Sequence, residues 1–204
     1  AFGFAATAGQ VLLLRLGMLL GGGNEIVLGA FFGAWFLGIA AGAAAGRRLA
    51  WRPGSFRPLA ASFPFLLFLN ALAVMVVAGV WAPAPGHLPS LGRGVLVSAA
   101  LAVLPGAGIG LCFPAGAVAA GGVSRLFLLE SAGSCAGGIL ASLVLLRINP
   151  LGMLAVFGAA GLALWPGRRR LLALGAGLGI WVAWGPLAEL RLAAFHPIGK
   201  AIVE

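Results

Sequence analysis

Runs of about 20 apolar residues follow one another along nearly the whole of this chain, and that length is what a bilayer demands of a spanning helix. They cover residues 2–20, 26–45, 58–80, 94–120 and 126–146, with two shorter runs at 151–165 and 171–187. None alternates polar with apolar residues, as the strands of a membrane barrel must. With 62% of its 204 residues hydrophobic and 8% charged, the chain cannot clothe a globule in polar surface, which takes about a quarter charged residues. The expected fold is all-α: a polytopic transmembrane bundle of about six to seven helices over residues 1–187. A short tail, 188–204, follows where a soluble domain would start. The fourth run holds Pro105 and Pro114, which predicts a kinked or broken helix there.

The net charge of +9 would suggest nucleic acid as a partner of a soluble protein. Here the basic residues gather at the ends of apolar runs, so the lipid bilayer is the expected partner and nucleic acid is not. Arg47, Arg48, Arg52, Arg57, Arg125, Arg168, Arg169 and Arg170 fall in alternate loops, against Arg93 and Arg147 in the others. Basic loops stay in the cytoplasm, which places the amino terminus inside, in a membrane of the bacterial inner type. Cys112 and Cys135 lie within predicted helices and read as free, buried thiols. No Cys/His cluster has metal-ligand spacing, and no cofactor is expected. His87 and His196 sit in a proline-rich loop and in the tail and read as solvent-facing.

Glycines recur at four-residue spacing. Gly38, Gly42 and Gly46 form one series, Gly29 and Gly33 a second, and Gly133, Gly137 and Ala141 a third. This spacing keeps small side chains on one helical face, where another backbone can approach closely. Such glycines predict a compact bundle without saying what it does. The segments "GAGIG" and "GAGLG" read as packing glycines too, since neither follows a strand or completes a nucleotide-binding loop.

The polar residues inside the apolar runs are Gln10, Arg15, Asn70 and Glu130. Glu130 shares a face with Ser134, Gly137 and Ala141, so it points to a helix contact, as buried ionisable groups in membranes do. Arg15 lies ~20 Å and Glu130 only ~6 Å from the cytoplasmic start of its helix, which argues against a direct pair. Gln10 at ~12 Å, or the arginines at the helix ends, are better partners for Glu130. Arg15 is expected to snorkel toward Glu25. Two readings compete: structural polar groups, or a polar path lined by all four residues for a proton or cationic solute.

The stretch "GQVLLLRLGMLLGGGNEIVLGAFFGAWFLGIAAGAAAGRR" resembles the opening of membrane-embedded spermidine synthase-like proteins. Gln10 with Arg15 matches the family's first helix. Gly38, Gly42, Gly46, Arg47 and Arg48 match its glycine-rich second helix with a basic end. Further on, Pro105, Gly110, Phe113, Pro114, Arg125, Glu130, Gly133, Gly137 and Gly138 match its Phe-Pro helix and the Glu-containing, glycine-rich helix after it. The resemblance covers roughly residues 3 to 165, and its pattern is also similar to half of a major facilitator transporter. In complete members the helices precede a soluble aminopropyltransferase-like domain that uses aspartates on the amine. This chain has no Asp and no Tyr, so the resemblance implies no catalytic residues here, and "FHPIGKAIVE" ends about where that domain would begin. The favoured expectation is a non-catalytic membrane module, anchor or accessory subunit of a larger assembly, touching other membrane subunits or a second copy of itself. The alternatives are a small-solute, polyamine-type transporter half, or the membrane portion of an aminopropyltransferase-like enzyme.

Overall fold

A computed structural model of the chain describes residues 2–49, 51–52, 54–81, 83, 87–143 and 158. These residues form five helices: α1 (Phe2–Gly21), α2 (Glu25–Gly46), α3 (Phe56–Val80), α4 (Leu91–Ala120) and α5 (Val123–Leu143). All five are long and apolar enough to cross a membrane. The sixth and seventh runs and the tail lie outside the described residues, save Gly158, which is helical and packs against Pro64, Phe65 and Phe68 of α3. At 20 to 30 residues the helices are ~30–45 Å long, against a hydrocarbon slab of ~30 Å.

The ends are set by local chemistry. Asn24 caps α2, its side-chain oxygen accepting from the Ile26 N–H at 2.8 Å, which satisfies one of the donors a helix start leaves open. α4 closes through Gly121 in the left-handed region, φ 75°. The Gly121 and Gly122 N–H groups donate back to Val118 and Ala117, a double closure that only a residue free of a Cβ makes without strain. Trp51 Nε1 donates to the carbonyl of Gly46 at 2.7 Å and finishes α2. Trp81, 61% exposed, stands at the far end of α3. The two indoles thus mark opposite interfaces, where amphipathic rings settle.

α1 and α4 form the central pair, and α2, α3 and α5 each touch both of them but not one another. The core is built from Leu12, Leu13 and Leu16 of α1, Phe31 and Trp35 of α2, Phe63 and Leu67 of α3, and Leu101 of α4. Phe2 packs on Phe63 and Phe56 with ring centroids 5.2 and 5.8 Å apart, which ties the start of α1 to the start of α3. α4 is one continuous helix through Pro105 and Pro114. The expected break is therefore absent, for a reason found at Asn70 below. α5 buries only Leu126, Gly137 and Ala141, so most of its circumference faces outward.

Candidate functional site

The closest helix approaches are glycine-lined, and they run in parallel pairs. Along α2 and α4, a Cβ on Gly38 would strike the Val103 carbonyl, one on Gly42 the Ala107 carbonyl, and one on Gly46 the Pro114 ring. Reciprocally, Gly106 sits on the Trp35 carbonyl and Gly110 on that of Ile39. Each of these contacts is backbone against backbone or ring, so no side chain can swing aside to make room. The α1–α5 pair repeats the device: Gly3 lies on the Glu130 backbone, and Gly133 and Gly137 on that of Phe4. Gly29 and Gly33 behave differently, with nothing within 4 Å of a Cβ at either position. Their spacing is the same as that of the packing series, but their face of α2 is the one turned away from α4.

Asn70 is the polar residue whose task is clearest. Pro105 has no N–H, so the Leu101 carbonyl one turn earlier in α4 has no helical donor. Asn70 Nδ2 on α3 donates to that carbonyl at 3.0 Å and to its neighbour Ala100 at 3.5 Å. A neighbouring helix thus satisfies the group that proline exposes, which in lipid would otherwise cost several kcal/mol. The sequence ranked Asn70 with the residues of a possible polar path, and only the tertiary fold reveals the joint.

Glu130 is half-buried on the α5 face that meets α1, one turn before Ser134, whose Oγ donates to the Gly3 carbonyl at 3.4 Å. Gly3 at the level of Glu130 puts Gln10, a half-buried residue, ~10 Å deeper along α1. The structure therefore does not bring Gln10 to Glu130. Arg15 is half-buried on α1, ~9 Å short of its carboxyl-terminal end. Glu25 is exposed in the first turn of α2, where a carboxylate favours the helix dipole. Gln10, Arg15, Asn70 and Glu130 are thus distributed over α1, α3 and α5, with Arg15 and Asn70 both ~20 Å from the starts of their helices and Gln10 and Glu130 nearer that end.

Cys112 is buried and Cys135 exposed, both as free thiols. The sequence expectation that both are buried fails at Cys135, because α5 meets the bundle along one face only. His87 is exposed in the α3–α4 connection. His196 lies outside the described residues. Among the described residues no group of His, Cys, Asp and Glu could hold a metal ion.

By sequence Arg93 is a loop charge; in the fold it reaches into the bundle. Its Nη2 donates to the Ala78 carbonyl at 2.8 Å, at the end of α3. There it meets both an unpaired carbonyl and the negative pole of the helix. Arg93→Met keeps the stem and loses the cap. The expected outcome is a loss of about 1 kcal/mol in reversible unfolding in mixed micelles, with helix content unchanged.

By fold, then, the chain is an all-helical integral membrane protein. No protein-family model matches it, and neither does any curated protein or solved structure.

Proposed function

We propose that this chain is the non-catalytic membrane module of a spermidine synthase-like protein, serving as anchor or accessory subunit of a larger assembly in a bacterial inner membrane, amino terminus inside. The observation that carries the reading is the use made of intramembrane polar groups. Asn70 closes the joint at Pro105, and Ser134 ties α5 to α1. A transporter needs polar groups converging near the midplane on a wet cavity. In this chain Asn70, at the depth of Arg15, is turned to the Leu101 carbonyl, Gln10 and Glu130 lie nearer one end, and glycine-lined helices touch backbone to backbone. Such a bundle is suited to holding position, and its helices outside the central pair are suited to meeting other subunits.

The test is made on protein extracted gently and on protein reconstituted into liposomes. The native extract is expected to migrate as an assembly containing a partner in fixed ratio. Liposomes are expected to take up no more putrescine or spermidine than protein-free ones under an imposed gradient. Uptake that Glu130→Gln abolishes while the protein stays folded would establish the transporter instead.

A further inference from the structure

The connection between α2 and α3 carries Arg47, Arg48 and Arg52, and Arg57 follows in the first turn of α3, all four exposed. The fold adds a fifth. Gly116 of α4 is packed against both Phe56 and Leu126, so Arg57 and Arg125, the next residue after one and the last before the other, flank the same contact at the same end of the bundle. Phe2 joins that cluster through Phe56. Among the described residues, five guanidinium groups therefore stand at one end of the molecule, where α1, α3 and α5 start and α2 and α4 finish. Among the described residues the other end has Arg93, whose Nη2 is turned to the Ala78 carbonyl, and Glu25.

We propose that this group of arginines is a binding site for the phosphates of anionic phospholipids in the adjacent leaflet. Depth favours lipid over an acidic protein or a nucleic acid. Nine residues separate Gly46 from Phe56, and Trp51 in their middle is half-buried and tied back to the Gly46 carbonyl. The connection is thus held down at the level where indole rings settle, beside the headgroups, instead of rising into water. At that depth the complementary group is phosphate, which a guanidinium grips with paired hydrogen bonds. Basic residues at the membrane surface each strengthen attraction to anionic lipid several-fold. The inference stands independently of the module reading, since it concerns only charge and depth.

The experiment uses the full chain in uncharged detergent, titrated with phosphatidylglycerol or phosphatidylcholine, bound lipids being counted by native mass spectrometry. Phosphatidylglycerol is expected to be retained in preference, and about 0.5 M salt to weaken its retention. R47Q/R48Q/R52Q/R57Q is expected to weaken it by about tenfold or more, and the corresponding four-lysine variant, which keeps charge but loses the planar fork, by less. Should the four-glutamine variant fail to fold by circular dichroism, Arg48→Gln and Arg52→Gln singly carry the same comparison, each with a smaller loss. Equal retention of the two lipids by the native chain would overturn the proposal. So would unchanged retention in the folded glutamine variants, or displacement of the lipid by polyglutamate at equal charge.

Discussion

Gly42→Leu is expected to force α2 away from α4 and to leave little folded protein in mild detergent. The Cβ alone would strike the Ala107 carbonyl, and a carbonyl within a helix cannot rotate out of the way. The two backbones must therefore separate along the whole contact, which loosens Gly38 and Gly46 on one side and Gly106 and Gly110 on the other. Overfilling a well-packed site costs about 1–3 kcal/mol when side chains can adjust, and a site bounded by backbone lies at or above the top of that range. Gly33→Leu provides the control, on the same helix and at a glycine with open space around it. It is expected to leave the unfolding midpoint in SDS titration unchanged within about 0.5 kcal/mol. Equal damage from both substitutions would show that helix propensity, not close approach, is the reason for the glycines.

Asn70→Leu tests the joint at Pro105, and its result depends on the residue across the interface. In the native background it leaves the Leu101 carbonyl without a donor, at a cost of about 1–2 kcal/mol after the reference state in the membrane has found other partners. Pro105→Ala restores an N–H to α4 and with it the ordinary helical bond to Leu101. In that background Asn70→Leu is expected to cost less than half as much. Unfolding of the four proteins in a double-mutant cycle measures the coupling directly. If Asn70→Leu costs the same beside alanine as beside proline, the amide is not serving the carbonyl that proline frees.

These two substitutions also mark where sequence reading succeeds and where it stops. The five helices are legible because lipid fixes their length and composition. The ends agree to within a few residues, as at Phe2–Gly21 against an expected 2–20. The face of α5 that carries Glu130, Ser134, Gly137 and Ala141 is legible for the same reason, since helical periodicity holds whatever the neighbour is. What periodicity omits is the neighbour itself. Gly33 and Gly42 look alike in the sequence because each has a partner glycine four residues away, and only the position of α4 distinguishes them. Asn70 and Leu101 are 31 residues apart, so the need created by Pro105 and the group that meets it cannot be matched along the chain. Arg93 belongs with them, since its carbonyl partner appears only once α3 and α4 lie side by side.

The pairing of the first helix with the fifth carries a cost in time. Ser134 bonds to Gly3 across 131 residues of chain, so α1 is inserted long before the surface meant for its amino-terminal end has been synthesised. At ~5–20 residues per second that delay is roughly 7 to 26 seconds, ample for the bared Gly3–Phe4 face to meet other helices first. An early-inserted span with its docking partner still on the ribosome is a natural client for an insertion chaperone, and its exposure ends only when α5 arrives.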